Sequence, residues 1–467
     1  MPRAPAPGAR GEGRWSRFRR APRGAVATLL LLAGGLGCAP EPPRHLVLVT
    51  ADTWRGDHFG TERAGTPLTP ELSRFAAGGV RFTAAHSPGS ETSPGTAGIL
   101  TGLLPRRSGV VVNRHMLPLE VPTLAEVLQD AEFATSAVVA NVVLAPGLGF
   151  DQGFQGYELV HHAPKAGAPE VTDAALAQLE DLDGELAAGR RLFLWVHYMD
   201  PHGPYLPPEE HRSLFPVEAF DAPRQIPLLP EGNQSGWKGI PAYQQAGLDS
   251  PSRDGRDYLA RYAGEVHSLD REAARLLAAL EDRGILETAV VVLTSDHGEA
   301  LAGDHGFYFS HANGLTQDQI HVPLVVRCPG CPEGRVVERP VSTLGVVPTA
   351  LRLLGVPAPE DHVLDGVDLL GEAEHPVYAE GRSGRSEVAL RVGRWKAAWD
   401  PDGGASLFDL ARDPGEERDL AAAHPERLRE LERLLRRLRG RPVLAEPRAR
   451  PRAGEERREE LRALGYL

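Results

Sequence analysis

The residues of this sequence that could act as metal ligands or catalysts come directly after runs of apolar residues. The run 45–50 is followed by Asp52, and the run 290–294 is followed by Asp296 and His297. A carboxylate at the end of a buried strand is costly unless it is paired or bound to a metal. Asp together with His at such a position is a suitable donor set for a divalent cation. The pattern therefore favours a metal site built from strand ends.

Thr92 lies between these two segments, in a loop that enters a helix at Pro94. Proline is favoured in the first helical turn, which places Thr92 at the helix N-terminus, where unpaired backbone N–H groups stabilise an anion or an alkoxide. Taken singly, however, the threonine could be a simple helix cap and either aspartate a buried, hydrogen-bonded residue. Only the combination indicates a site.

Histidines concentrate in two further loops. His197 and His202 flank the end of the apolar run 192–197, and His305 and His311 follow the second strand end described above. Imidazole can act as acid, base or metal ligand near neutral pH. A single histidine is more often structural, whereas this concentration predicts function.

The elements that must position these side chains alternate along the chain. Fully apolar short runs between amphipathic helices are typical of an α/β fold with a large, mostly parallel sheet that is covered by helices on both faces. In such a fold, polar site residues collect at the carboxyl ends of the strands. The predicted strands are 45–50, 80–85, 134–140, 192–197, 289–294 and 323–327, and the predicted helices are 70–77, one after Pro94, 123–130, 172–187, 258–283 and 346–354.

Composition narrows the class of protein. The chain has 467 residues, 42% of them hydrophobic, which excludes a wholly disordered protein. Its formal net charge of −12 argues against a nucleic-acid partner.

The first residues read as a targeting segment. A basic stretch is followed by the apolar run 25–36, which is too short for a transmembrane helix and is typical of a secretory signal. Cys38 stands where lipoprotein signals carry their modified cysteine. We therefore expect a bacterial cell-envelope protein on the periplasmic or extracellular face, with a lipid at Cys38 as its membrane attachment. The alternative is an ordinary cleaved signal with an incidental cysteine.

The cell envelope is an oxidising compartment, and there Cys328 and Cys331 are expected to form a loop disulfide.

The order of the motifs resembles the sulfatase family, within the alkaline phosphatase superfamily, over roughly residues 45–440. The segments that carry the resemblance are 52–58 (DTWRGDH), 69–82, 100–102, 200–205 (DPHGPY), 294–299 (TSDHGE), 322–324, 407–410 and 413–416. The resemblance implies an alkaline-phosphatase-like fold. It further implies one divalent metal ion held by Asp52, Thr92, Asp296 and His297, with Thr92 also the nucleophile.

The resemblance, together with the composition of the two ends, suggests a division of the chain. We expect a signal peptide with a lipobox at 1–38, a linker at 39–44, and a sulfatase-like α/β catalytic domain at 45–375. A small C-terminal α+β subdomain follows at 376–440, and a charged, loosely ordered tail at 441–467.

The sequence departs from the family pattern at the nucleophile. Thr92 stands where sulfatases carry the Cys or Ser that becomes formylglycine, and threonine cannot be oxidised to that aldehyde, so no formylglycine is expected. Ala51 replaces a second Asp, and His297 replaces an Asn that is frequent in the family. Losing a carboxylate and gaining an imidazole favours Mn or Zn, with Ca or Mg as alternatives.

Other family features are replaced as well. Gly95 and Thr96 follow Pro94 where Ser-Arg is usual, and the usual Lys–His pair is replaced near Asn141. A second metal, held by Asp200, His202 and His311 or His305, is a further alternative.

These residues lead to one main hypothesis and two alternatives. The main one is a hydrolase of sulfate or phosphate esters of a small molecule, glycan or lipid. In it, Thr92 attacks the ester, His202 or His311 protonates the leaving group, and Arg55 holds the oxyanion unless it pairs with Asp57 instead. The alternatives are a transferase of phospho-headgroups in the cell envelope and a catalytically inactive binding lipoprotein.

Overall fold

The structure is a computed structural model, and it describes residues 43–359, 363–381, 388–451, 458, 461–462 and 464–466. The expected signal peptide, Cys38 and most of the linker lie outside the described residues. Within them, no helix combines the length and the apolar character that crossing a bilayer requires.

The described residues form nineteen strands. In chain order they are β1 His45–Ala51, β2 Glu62–Arg63, β3 Thr66–Pro67, β4 Val80–His86, β5 His115–Met116, β6 Phe133–Val139, β7 Gly156–Leu159, β8 Arg191–Tyr198, β9 Ala289–Ser295, β10 Ala300–Ala302, β11 Tyr308–Ser310, β12 His321–Arg327, β13 Arg335–Val337, β14 Val341–Ser342, β15 Val377–Glu380, β16 Val388–Val392, β17 Trp395–Trp399, β18 Ala405–Asp409 and β19 Arg448–Ala449.

The same residues form ten α-helices. They are α1 Pro70–Ala76, α2 Thr92–Thr101, α3 Pro105–Ser108, α4 Leu124–Asp130, α5 Ala168–Ala187, α6 Glu209–Arg212, α7 Gly255–Asp282, α8 Gln317–Ile320, α9 Val346–Leu354 and α10 Pro425–Arg439.

A large mixed sheet forms the centre of the protein. Its strand order is β13-β4-β12-β9-β1-β8-β6-β7, with β14 also paired to β4. Strands β9, β1, β8, β6 and β7 run parallel, and β12 runs antiparallel to both of its neighbours. Helices pack on it, among them α4 and α5 on β6 and α9 on β1 and β9. The predicted α/β fold with a large, mostly parallel sheet is confirmed.

The strand order explains why the chemistry-bearing residues meet. Asp296 follows β9, Asp52 follows β1, His197 lies near the end of β8, and Asn141 follows β6. These four strands are neighbours and parallel, so their carboxyl ends share one edge of the sheet.

A small antiparallel sheet follows the large one. Strands β15, β16, β17 and β18 pair in sequence order, and α10 packs beside β16. The apolar face of α10 packs in one cluster with this sheet and with a leucine before each of α3 and α9. The cluster includes Leu104, Leu344, Leu390, Leu407, Leu431 and Leu435. The expected small α+β unit is therefore present, while its boundaries at 376 and 440 stay a prediction.

The expectation of a loosely ordered tail is wrong for the tail residues that the structure describes. Strand β19 pairs with β5, and the Arg450 guanidinium donates to Ser93 Oγ at 2.6 Å and to the Val143 carbonyl at 2.7 Å. Leu464 is buried in the main core. The charged composition concealed these contacts because each is made with residues far away in the sequence.

The loop disulfide is present, since Cys328 and Cys331 are bonded to each other.

His45 gives the fold a dependence on pH. Burial, with Arg44 and Arg191 nearby, lowers the pKa of His45 from 6.5 to about 4, and its Nδ1 accepts a hydrogen bond from the Leu192 amide at 3.0 Å. The neutral ring is therefore favoured in the folded state. Its stabilising contribution is complete above pH 6.5 and is lost as the pH falls through about 4.

We expect His45→Asn to reduce the loss of unfolding free energy between pH 7 and pH 4 by about 1–2 kcal/mol. Asparagine keeps an acceptor near the position of Nδ1 but does not take up a proton. Urea denaturation at both pH values measures the effect, with His375→Asn at an exposed position as the control. Equal pH sensitivity in the wild type and in His45→Asn would contradict the assignment.

Candidate active site

A cluster of buried donor atoms lies at the shared edge of β9, β1 and β8. Asp52, Asp296, His197 and His297 have no exposed surface. The candidate ligand atoms of Asp52, His197 and Asp296 all lie within 4.8 Å of one another. His297 Nε2 is 3.6 Å from Asp52 Oδ1 and 3.8 Å from Asp296 Oδ2.

Several atoms of this cluster lack a hydrogen-bond partner. They are Asp52 Oδ1, Asp296 Oδ2 and His197 Nε2, each buried. Orphaned buried polar atoms are costly, and two carboxylates with imidazole nitrogens are donors that suit a divalent cation. The residues present therefore fit the expected metal ion.

The electrostatics of the cluster lead to the same conclusion. Burial and the neighbouring Asp52 carboxylate raise the pKa of Asp296. Burial opposes ionisation of Asp52 too, but the imidazoles of His202, His197 and His297 hold its pKa below the usual range. Burial lowers the pKa of His297 to about 3, so that ring is neutral at pH 7. The pocket is thus negative and complementary to a cation.

Thr92 lies against this cluster as the first residue of α2. Its Oγ1 is 3.4 Å from Asp52 Oδ2 and 3.4 Å from His297 Nε2. The structure therefore brings together all four predicted metal-site residues, Asp52, Thr92, Asp296 and His297. It also places the Thr92 hydroxyl at the positive end of a ten-residue helix.

The sequence pattern groups His197 with the other histidines and does not single it out as a metal ligand. Its Nδ1 is 2.8 Å from Thr50 Oγ1, which orients the ring and leaves Nε2 facing Asp52 Oδ2 at 3.7 Å. The available signal was an imidazole inside an otherwise apolar strand.

The two predicted proton donors, His202 and His311, lie edge to face beside the cluster. Their ring centroids are 5.0 Å apart, and the His311 centroid is 4.6 Å from that of His297. Burial lowers the pKa of His202 to about 3. Burial also opposes protonation of His311, but Glu299, with Oε1 3.1 Å from Nδ1, outweighs it and raises the pKa of His311.

Arg55 forms ion pairs and is not directed at Thr92. Its guanidinium lies 2.7 Å from Asp57, 2.7 Å from Asp304 and 3.0 Å from the Glu299 carbonyl. The structure therefore shows the ion-pair alternative. The oxyanion role expected for Arg55 is not supported, because Asp57 after β1 and two acceptors after β9, the Glu299 carbonyl and Asp304, already hold its N–H groups.

The structure does not assemble the alternative second metal site. Asp200 Oδ1 lies 3.5 Å from Lys165 Nζ, and the same ammonium binds Glu265. His305 Nε2 lies 3.8 Å from Asp318. Among the described residues, the one group of three or more donors close enough to share an ion is Asp52, His197 and Asp296.

Two polar groups of the site were not predicted. Asn141 Nδ2 lies 2.5 Å from Asp52 Oδ2 and 2.6 Å from the Tyr466 hydroxyl. Asn141 could have been found, since the family's usual Lys–His pair is missing at this point. Tyr466 had no such signal, because the tail carried no recognisable motif.

Gly95 allows α2 to approach the loop after β9. A Cβ built on Gly95 would lie 2.2 Å from the Asp296 carbonyl oxygen.

We expect Gly95→Ala to separate Thr92 from Asp296 and to lower kcat/KM by about 100-fold, since a shift of about 1 Å suffices for such a loss. Gly184→Ala in α5 is the matched control, because a Cβ there meets nothing within 4 Å. Steady-state kinetics with unchanged kcat/KM in Gly95→Ala would refute this packing argument.

Comparison with known proteins identifies the family. A family model described as sulfatase matches residues 44–356. The chain belongs to the sulfatase family. N-acetylgalactosamine-6-sulfatase of Canis lupus familiaris is 27% identical to it, with 87% of each chain covered. Arylsulfatase A of Homo sapiens is 28% identical, with 88% of this chain and 90% of that protein covered.

Solved structures of other sulfatase-fold proteins superpose on it. BT4656 in complex with its substrate D-glucosamine-2-N,6-O-disulfate has a TM-score of 0.70 at 19% identity, covering 85% of this chain and 97% of that one. The phosphonate monoester hydrolase SpPMH from Silicibacter pomeroyi has a TM-score of 0.67 at 20% identity, covering 88% and 100%. The predicted membership of the alkaline phosphatase superfamily is confirmed, and the chain is an ester hydrolase of the sulfatase type.

Proposed function

We propose that this protein is a metal-dependent hydrolase of sulfate or phosphate esters with Thr92 as its nucleophile. The observation that carries the proposal is the position of Thr92 Oγ1, 3.4 Å from both Asp52 and His297 at the buried donor cluster. No cysteine or serine takes this place, since Thr92 itself begins the helix. Thr92 also rules out formylglycine chemistry on this residue.

Asp52, Asp296 and His297, with Thr92 and His197, would hold the divalent ion. When bound, such an ion supplies positive charge that acidifies a nearby hydroxyl and polarises a non-bridging ester oxygen. The imidazole donors favour Mn or Zn over Ca or Mg.

The hydrogen bonds of His297 and His202 indicate which ring nitrogen carries the proton, and this decides which histidine can protonate the leaving group. His297 Nδ1 is 2.9 Å from the Gly298 carbonyl and His202 Nδ1 is 2.5 Å from the Gly203 carbonyl, so in each ring Nδ1 is the donor and Nε2 the acceptor. His202 Nε2 therefore has no proton to give. His311, whose pKa Glu299 raises, is the better acid of the two predicted candidates.

The reaction then has two steps. Thr92 Oγ passes its proton to Asp52 Oδ2 at 3.4 Å and forms a bond to sulfur or phosphorus, while the bond to the leaving oxygen breaks and His311 protonates that oxygen. Water next attacks sulfur or phosphorus of the Thr92 ester and gives one proton to His311, the bond to Thr92 Oγ breaks, and Asp52 returns the proton to Thr92 as the inorganic anion is released.

We also propose a location and a substrate class. The signal-like residues and Cys38 support a lipid-anchored protein of the bacterial cell envelope, and the family supports a small-molecule, glycan or lipid ester as substrate. Sulfatase-family relatives include N-acetylgalactosamine-6-sulfatase, whose name indicates a sugar sulfate.

A substrate panel tests the proposal. Residues 39–467, supplied with Mn²⁺ or Zn²⁺, are assayed with an aryl sulfate, an aryl phosphate, a diaryl phosphate and an aryl phosphonate monoester. Metal-dependent turnover of at least one ester that is lost in Thr92→Ala supports the proposal, and the preferred ester decides between sulfate and phosphate. Turnover of none by the metal-loaded chain would contradict it and favour the transferase or the inactive scaffold.

A further inference from the structure

The side chain of Tyr466 lies inside the candidate active site. Its hydroxyl is 3.3 Å from Thr92 Oγ1, 2.6 Å from Asn141 Nδ2 and 3.3 Å from His202 Nε2. Its ring centroid lies 5.6 Å from that of His202. The phenol thus occupies the space beside the proposed nucleophile and the Asn141 amide donor, where the reacting group of a bound ester would have to lie.

With Tyr466 in this position, the site is closed. Thr92, Asn141 and His202 are fully buried. An ester can react only if its sulfur or phosphorus reaches Thr92 Oγ. The group that already lies against Thr92 Oγ and Asn141 must therefore move before a substrate binds.

The local backbone directs the tyrosine into the site. The Gly465 amide donates to the Arg462 carbonyl at 3.1 Å and the Tyr466 amide to the Leu461 carbonyl at 2.7 Å, the pair of bonds that defines a Schellman turn. Gly465 has φ +80°, and a Cβ there would lie 2.7 Å from the Tyr243 ring. Together with buried Leu464, this turn presents Tyr466 in one direction.

The contacts of the hydroxyl are of a kind that an oxyanion can replace. Two of the three are 3.3 Å long, and all three are made by a neutral phenol. Asn141 Nδ2 donates to the phenol oxygen and the Thr92 hydroxyl can donate, and a charged oxygen forms stronger hydrogen bonds with these two donors. The third contact, with the acceptor His202 Nε2, is given up in the exchange. Exchange of the phenol for a sulfate or phosphate group is thus chemically reasonable at this site.

We propose that Tyr466 is an intramolecular occupant of the substrate site, which a tetrahedral oxyanion must displace. The closed form is self-inhibited, and the apparent affinity for an anion is reduced by the fraction of molecules in which the tyrosine is withdrawn. This inference rests on the proposed function only in taking the surroundings of Thr92 as the substrate site.

Anion binding tests the inference without requiring turnover. The full chain with Mn²⁺ is titrated calorimetrically with inorganic sulfate and inorganic phosphate. We expect Tyr466→Ala to lower the Kd for at least one anion by about tenfold or more, as follows when the site is open in less than about a tenth of the molecules. Tyr466→Phe, which keeps the ring but loses the three contacts, should show a smaller decrease.

The matched control is Arg448→Ala. Arg448 belongs to the same tail, is half exposed and pairs with Glu120 away from the site, so its removal should leave the Kd at the wild-type value. A melting curve establishes that each variant is folded, and if Tyr466→Ala is not, Tyr466→Phe decides by whether its Kd for an anion lies below that of the wild type.

Three results would overturn the inference. They are an unchanged Kd in the tyrosine variants, a higher Kd, which would make the hydroxyl part of the anion site, and the absence of binding in every chain. The substrate panel shows whether such a result counts against this inference or against the proposed function. Tighter anion binding without turnover in any variant would refute the function and leave Tyr466 as an occupant, whereas turnover with an unchanged Kd would do the reverse.

Discussion

Thr92→Ala should lower kcat for the preferred ester by at least about 10³-fold, because the variant lacks the oxygen that forms the covalent ester. The Thr92 side chain contributes the one hydroxyl that lies within 3.4 Å of both Asp52 and His297 among the contacts of the described residues. Background attack by water in the same pocket would account for the activity that remains. Steady-state kinetics on the metal-loaded chain measures the change.

Two variants make this result specific. Thr96→Ala is the matched control, since Thr96 is equally buried one turn further along α2 and its Oγ1 has no hydrogen-bond partner, so kcat should stay within about twofold of the wild type. Thr92→Ser keeps the hydroxyl and should retain activity within about tenfold. Substantial activity in Thr92→Ala, or an equal loss in Thr96→Ala, would rule out Thr92 as the nucleophile.

Asp296→Asn should have opposite effects on the metal-free and the metal-loaded protein. Without a cation, Asp52 and Asp296 are two buried carboxylates with orphaned oxygens. Removing one charge is expected to raise the free energy of unfolding of the metal-free chain by about 1–3 kcal/mol. Asparagine can still accept the His297 amide hydrogen bond that Asp296 Oδ1 receives at 2.7 Å.

The same substitution should remove the response to metal. A cation at about 100 times its Kd stabilises the wild type by about 2.7 kcal/mol, and Asp296→Asn should lose most of that gain because a charged ligand is missing. Thermal and urea unfolding with and without Mn²⁺ or Zn²⁺ measure both effects.

Asp270→Asn provides the control for this experiment. Asp270 is equally buried, but its carboxylate accepts the Leu72 and Glu71 amides at 2.7 and 3.1 Å and lies at the start of α1. The metal-induced stabilisation should persist in that variant. If Asp296→Asn destabilised the metal-free chain and kept the metal response, the donor cluster would not be a metal site.

Local patterns predicted most of the large sheet. Apolar runs at 45–50, 192–197 and 289–294 became β1, β8 and β9, with no end shifted by more than one residue. Such runs are recognisable because strands buried on both faces have no polar positions to interrupt them. The two-residue strands β2, β3, β5 and β19, which form two separate two-stranded sheets, were not predicted, since segments this short show no periodic pattern.

By itself, the sequence determined the types of residue at the ends of β1 and β9 and at the start of α2. Asp52, Asp296, His297 and Thr92 could be recognised because strand ends and helix starts are local features with known chemical consequences. The sequence alone also shows that threonine replaces the formylglycine precursor, and it thereby excludes formylglycine chemistry at this position.

Only the tertiary structure decided which other side chains join this core. The adjacency of β1 and β8 brings His197 to Asp52, while nearby carboxylates hold Arg55 away from Thr92. Tyr466 reaches Thr92 across a sequence separation of 374 residues. Contacts of that range are set by strand order and by the path of the tail over the core, which no local pattern of residues encodes.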